Sequence, residues 1–229
     1  MTENWIGNKE KANIAEEACR LHFEQLGYNV EDFGIEKISK EYPRLRKDNA
    51  GTYLVEIREK IQNMPDFLIS GVYPEKAGEL TGKSEALLVE AKYKEIVIFE
   101  DFNKEILKKY SNLLDDLKIS LMIYLVTRSS RRLRSSTKSN EVYVHIGLFR
   151  PSQPKAEFEW LAAGGTGGHL MFKFLDEPKA EFEWLAAGGT GLNKFPFTYG
   201  CNGSDDFNTI YAKVVKPVLD KRFAANVAS

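Results

Sequence analysis

Three charged residues stand inside two of the most hydrophobic stretches of the chain. "MPDFLISG" (64–71) carries Asp66, and "ALLVEAKYK" (86–94) carries Glu90 and Lys92. Successive side chains of a strand point to opposite faces. Leu88, Glu90, Lys92 and Lys94 therefore share one face, and Leu87, Val89, Ala91 and Tyr93 the other. Charges on a half-buried strand cost free energy unless each has a partner. If the two segments pair, Asp66 approaches Glu90 across the ladder. Two carboxylates held close together repel, and a cation between them relieves the repulsion. Hard oxygen ligands with open positions suit Mg²⁺ or Mn²⁺. An adjacent lysine can orient an attacking water, lower its pKa, or balance charge on a pentacovalent phosphate. A plainer reading makes Asp66 a turn residue after Pro65 and Glu90–Lys92 an i, i+2 ion pair on an exposed face. That explains the charges but not their company.

Taken together, these residues resemble the PD-(D/E)XK nuclease superfamily. Pro65 and Asp66 match its first motif and Glu90-Ala91-Lys92 its second, with a strand end and a loop between them. The family also places a glutamate on an N-terminal helix. "AEEACRLHFEQLGY" is similar to the form in archaeal Holliday-junction resolvases and their relatives, where the glutamate stands eleven residues before a Gly-aromatic pair; counting back from Gly27-Tyr28 gives Glu16, with Glu17 as the neighbouring candidate. The resemblance covers roughly residues 8–149. It implies an α/β fold with a restriction-endonuclease-like αβββαβ core, a mixed central sheet flanked by helices. It further implies a Mg²⁺- or Mn²⁺-dependent endonuclease that hydrolyses DNA phosphodiester bonds, branched or junction DNA included, and leaves a 5′-phosphate. Asp66, Glu90 and the Ala91 backbone carbonyl would bind the metal. Glu16 would hold a second ion or a metal-bound water, and Lys92 would position or activate the attacking water. A homodimer is expected, because nicking two strands calls for two symmetry-related sites. The alternative is a non-catalytic nucleic-acid-binding or assembly protein that keeps the fold; a weaker one is an enzyme of this fold acting on RNA or branched DNA in a defence or viral setting. The segment 34–62 is longer than in minimal resolvases.

Charge adds a second line. The 229-residue chain has a formal net charge of −1, so the whole molecule offers no general attraction to nucleic acid. The stretch "TRSSRRLRSSTK" (127–138), however, carries Arg128, Arg131, Arg132, Arg134 and Lys138 with no acid among them. Such a loop can grip backbone phosphates, or it can be a solvated hairpin tip. Lys94 shares the face of Glu90 and is a further candidate for phosphate contact. Lys108, Lys109 and Tyr110 lie on the helix after the active strand, where relatives sometimes place an extra polar group; the pattern reads Tyr110 as core and both lysines as surface. His22, His145 and His169 lack metal-ligand spacing and read as structural. Cys19 and Cys201 form no disulfide framework and no CxxC motif, so reduced thiols in an intracellular, cytoplasmic protein are expected, in the host cell if virus-encoded. The polar, mixed-charge N-terminus is unlike a signal peptide, and no apolar run suits a membrane span.

The elements that must position these groups follow from periodicity. "NKEKANIAEEACRLHFEQLG" predicts a helix with Asn8 as N-cap, Gly27 as C′ residue, and a buried stripe of Ala12, Ala15, Cys19, Phe23 and Leu26. Strands are expected at "YNVEDFGI", 65–73, 86–99, 120–127 and 141–149, with a short helix at 52–62 and a longer one from Asp101 to Lys118. That longer helix is expected to bury Ile106, Tyr110, Leu113, Leu114 and Leu117. The continuous apolar run "SLMIYLVT" marks a strand covered on both faces. Beyond this core (1–149), residues 150–229 read as a β-rich and helical extension. "PKAEFEWLAAGGTG" occurs at 154–167 and again unchanged at 178–191. Two identical copies are too few and too alike for a solenoid. "AAGGTGG" lacks the features of a P-loop or dinucleotide site, so two similar strands ending in glycine turns are expected. The last helix, "SDDFNTIYAKVVKPVLDKRF", should be capped by Ser204 or Asp205 and bent near Pro217.

Overall fold

Residues Leu121 to Val126 are buried without exception. A strand this apolar must be covered on both faces, and a computed structural model of the chain shows what covers it. The structure describes residues 3–34, 64–74, 82–117, 120–130, 137–150, 157–159, 184–186, 200 and 205–225. Helix α1 (Glu3–Gln25) leads into β1 (Asn29–Asp32), β2 (Phe67–Pro74) and β3 (Gly82–Lys94). Helix α2 (Phe99–Leu117) crosses over to β4 (Ser120–Ser130), which returns as β5 (Thr137–Arg150). The sheet runs β1-β2-β3-β4-β5, antiparallel throughout except for the parallel pair β3/β4. That pair is parallel because α2 carries the chain back across the sheet between them. The architecture is α/β, a mixed sheet with helices on both faces.

Alternation divides the sheet into two cores. Val89, Ala91, Met122, Tyr124 and Val126 face α1, whose stripe is Ile14, Ala15, Ala18, Cys19, Phe23 and Leu26. Leu88, Leu121, Ile123 and Leu125 face α2 through Phe99, Phe102, Ile106 and Tyr110. Ala12, expected in the α1 stripe, is exposed. Among the α1 side chains that are described, the stripe begins at Ile14 and runs in adjacent pairs, as a helix lying flat on a sheet requires. Side chains 111–117 of α2 lie outside the described residues, so the places of Leu113, Leu114 and Leu117 are not assigned.

Element ends follow local chemistry. Gly27 has φ 83°, a conformation that a Cβ disfavours. The Tyr28 N–H donates to the Phe23 carbonyl (3.0 Å) and the Gly27 N–H to that of Glu24 (2.9 Å), the paired bonds of a Schellman stop. The Phe23 and Tyr28 rings meet across it, centroids 6.3 Å apart. The N-terminal expectation is corrected: α1 starts at Glu3, so Asn8 lies inside the helix and does not cap it. Strand β3 likewise ends at Lys94 rather than running to Phe99. The Glu95 carbonyl accepts from the Arg128 N–H (3.2 Å) at the β4 bulge, which turns the chain so that Val97 and Phe99 enter the α2 core. Accordingly α2 begins at Phe99, two residues before the expected Asp101.

The C-terminal elements complete the α1 core. Helix α3 (Phe207–Ile210) is capped by Asp206, whose carboxylate accepts from the Thr209 N–H at 2.8 Å. The cap is thus neither Ser204 nor Asp205, because the extended backbone that aims a side chain at the third helical N–H occurs at Asp206. Ahead of Pro217, near which a bend was expected, the chain makes a π-helical turn over Tyr211–Val215, in which the Lys216 N–H reaches the Tyr211 carbonyl. Helix α4 (Lys216–Ala225) follows, and its Phe223 stacks on Tyr93 at 5.2 Å. His22 joins the three layers: Nδ1 lies 3.1 Å from the Tyr124 hydroxyl and Nε2 2.9 Å from the Phe207 carbonyl. A carbonyl only accepts, so Nε2 carries the proton and Nδ1 accepts from Tyr124. Burial pushes the His22 pKa down to about 3, against a smaller upward pull from the Phe207 bond, so the ring is neutral.

The duplicated peptide contributes β6 (Glu157–Glu159) from the first copy and β7 (Trp184–Ala186) from the second. Both pair antiparallel with β5, β6 against Leu148–Arg150 and β7 against His145–Gly147. The described residues of the two copies are different triplets of the repeat, and both lie against β5. The glycine turns expected after them, the expected helix at 52–62, Cys201 and His169 lie outside the described residues. Among the described residues no helix is long and apolar enough to cross a membrane.

Candidate functional site

Phe67 lies opposite Val89 in the β2/β3 ladder, so Asp66, one step beyond, reaches the level of Glu90. Asp66 Oδ2 accepts from the Ala91 N–H at 2.8 Å, which ties the carboxyl to the strand that carries the other two charges. Alternation puts Leu88 and Glu90 on the α2 face, and Glu90 is only 1% exposed. Lys92, two residues on, makes an ion pair with Glu90 Oε1. The expected neighbours are therefore together at one end of the sheet.

Helix α1 decides between the two candidate glutamates. Glu17 is exposed and pairs with Arg222 of α4 at 3.1 Å. Glu16 is partly buried and close enough to act electrostatically on both Asp66 and Lys92. Of the two, Glu16 is the one whose charge bears on Asp66 and Lys92.

The two central carboxyls sit in opposite electrostatic conditions. Burial, the Glu90 charge and, more weakly, Glu16 push Asp66 up to about 7; Lys92 and the Ala91 N–H oppose this without cancelling it. Burial pushes Glu90 up as well, but the Lys92 and Lys109 ammoniums, with hydrogen bonds from Lys92 and Tyr110, outweigh it and hold Glu90 below the usual carboxylate range. Lys92 is pulled down by burial, yet Glu90, Asp66 and Glu16 raise it above an ordinary lysine. It stands here as an ammonium donor.

Lys109 and Tyr110 exceed what the sequence suggested. Tyr110 is fully buried as expected, but its hydroxyl is part of the charged network. Lys109 is not merely surface: its Nζ lies 3.0 Å from Glu90 Oε1 and 2.6 Å from the Tyr110 hydroxyl. Its neighbour Lys108 is exposed. The available signal was spacing, since Lys109 follows buried Ile106 by three residues and so flanks the stripe.

Of the remaining candidate cations, Lys94 and Arg128 have described side chains, and these lie apart from Glu90. Lys94 lies on the expected face, paired with Glu105 at 3.5 Å and over the Phe102 ring at 5.9 Å. Arg128 belongs to β4 and not to a loop; its guanidinium lies 5.8 Å from the Phe223 ring centroid. Lys138 faces Ser129 in the β4/β5 ladder, its side chain outside the described residues, as are Arg131, Arg132 and Arg134 altogether.

As metal donors, the Asp66 and Glu90 carboxylates, the Ala91 carbonyl and Glu16 supply only hard oxygens. Among the described residues no group of three or more His, Cys, Asp and Glu side chains is gathered to hold an ion by itself. Mg²⁺ is ordinarily held through one or two carboxylates plus waters and phosphate oxygens, so the donor set fits that ion rather than a closed cage. Comparison with protein-family models, curated proteins and solved structures finds no match to this chain.

Proposed function

We propose that the chain is a divalent-metal-dependent endonuclease that hydrolyses DNA phosphodiester bonds, built on a restriction-endonuclease-like αβββαβ core. The observation that carries this reading is the β2/β3 register and the Ala91 N–H bond that bring Asp66 level with Glu90 and Lys92, with Glu16 on α1 near enough to act on Asp66 electrostatically. A structural ion pair would need Glu90 and Lys92 alone. The crowded Asp66 carboxyl adds nothing to such a pair and is relieved by a cation. The order α1, β1, β2, β3, α2, β4, with β3 and β4 parallel, agrees with that core.

In this reading Asp66, Glu90 and the Ala91 carbonyl hold Mg²⁺ or Mn²⁺. Such an ion, when bound, would supply Lewis-acid polarisation of a phosphoryl oxygen and a more acidic water. Lys92, kept protonated by its carboxylate neighbours, donates from Nζ to the phosphate or the attacking water and offsets developing negative charge. Glu16 orients a further ion or water at the edge of the cluster. Lys94, Arg128, Arg131, Arg132, Arg134 and Lys138 supply backbone contacts that weaken with salt. Two symmetry-related sites in a homodimer would serve the two strands.

The test incubates purified protein with supercoiled plasmid, linear duplex or four-way junction, in Mg²⁺, Mn²⁺ or EDTA. Metal-dependent nicking is expected, abolished in Asp66→Asn and Lys92→Ala. Absence of cleavage on every substrate with every metal, or variants as active as wild type, refutes the proposal.

A further inference from the structure

Glu90 Oε1 carries two ammonium groups at once, Lys92 from its own strand and Lys109 from α2. Strand alternation places Lys92, but nothing in the strand requires Lys109. Its position is set by Tyr110, a buried neighbour whose hydroxyl accepts from Nζ and whose ring centroid lies 4.6 Å away. The Lys109 side chain remains 28% exposed, so its ammonium can withdraw along its own stem without unpacking α2. A carboxylate oxygen has few lone-pair directions, and a cation arriving at Glu90 must displace a donor already there.

Resting on the metal-dependent reading above, we propose that Lys109 is an internal counter-ion that competes with the divalent metal for Glu90. It keeps the buried carboxylate paired while the site is empty and sets the metal concentration at which the site loads. Lys109 is thus a positioning residue acting through Glu90. Its removal leaves Glu90 paired with Lys92 while subtracting one positive charge beside the metal position, so affinity should rise.

The experiment is calorimetric titration of Mn²⁺, without nucleic acid, into wild type, Lys109→Met, Lys109→Gln and Lys109→Arg, with thermal unfolding of each as a check on folding. Lys109→Met should bind Mn²⁺ about tenfold more tightly, as the loss of one nearby like charge in a partly buried site implies. Lys109→Gln should tighten similarly should the methionine variant fold poorly, and Lys109→Arg should stay near wild type. In a Glu90→Gln background the Lys109→Met gain should disappear. Metal binding with equal or lower affinity in the neutral variants overturns the role of Lys109 alone, as does a gain that survives Glu90→Gln. Failure of wild type and all variants to bind Mn²⁺ overturns both this inference and the metal-dependent reading.

Discussion

Asp66→Asn should stabilise the metal-free protein, increasingly so as pH rises. In wild type the folded state holds the Asp66 proton up to about 7, while the unfolded chain releases it near 3.8. Between those values the folded state binds more protons, so stability falls with rising pH and the loss is complete above the folded pKa. A displacement of that size corresponds to about 4 kcal/mol at pH 8. Asparagine keeps an oxygen for the Ala91 N–H but cannot ionise, so the variant escapes the loss. Urea unfolding of both proteins in EDTA, from pH 4 to pH 8.5, measures it. The stability difference should be near zero at pH 4, grow by about 1.4 kcal/mol per pH unit, and level off near 4 kcal/mol. At pH 8 the melting temperatures should differ by roughly 8–16 °C for a domain of this size. The difference isolates Asp66 because other titrating groups are common to both proteins. A difference that is flat with pH, or an Asp66→Asn protein less stable than wild type at pH 8, would refute the claim that this carboxyl is crowded.

His22 predicts the opposite slope. Its folded pKa is lowered to about 3, so the unfolded chain takes a proton near 6.5 that the folded state refuses, and stability falls as pH drops through that window. His22→Phe should cost about 2–4 kcal/mol at pH 7, through the unsatisfied Tyr124 hydroxyl and Phe207 carbonyl. The same variant should flatten the loss between pH 6.5 and pH 4, worth about 3 kcal/mol in wild type; an unchanged acid limb in urea titrations counts against the buried neutral ring. Gly27→Ala, forced to φ 83°, should lower stability by about 1 kcal/mol with no change in metal affinity. A neutral effect in thermal unfolding would contradict the Schellman stop.

Much of the fold was legible because two periodicities are unusually clean. Leu121–Val126 contains no polar break, which leaves a doubly covered strand as its only economical place. Gly27 after a helical stripe announced its stop. Asp66, Glu90 and Lys92 stood out by being charged among apolar neighbours, and pairing of β2 with β3 is enough to unite them. What escaped depends on contacts that the local pattern does not carry. The end of β3 at Lys94 is set by the Glu95 carbonyl turning to Arg128, far along the chain. Asp206 caps α3 because of its backbone angles, which residue type alone does not reveal, and neither expected candidate, Ser204 or Asp205, is the cap.

The same reasoning explains why the two central carboxyls differ although they stand at the same level of one ladder. Both are short of water, and burial alone would drive both toward the protonated form. Glu90 is rescued because α2 delivers a second ammonium and a hydroxyl to a carboxylate that Lys92 already contacts. Asp66 receives one backbone N–H and the pull of Lys92, which together do not offset burial and the repulsion of Glu90 and Glu16. The strand motif therefore fixes where the charges lie, while the packing of a helix on one face fixes which of them stays ionised. Moving α2 by a single turn would take away the Lys109 and Tyr110 contributions and leave Lys92 alone to hold Glu90 ionised, without altering any residue of β2 or β3.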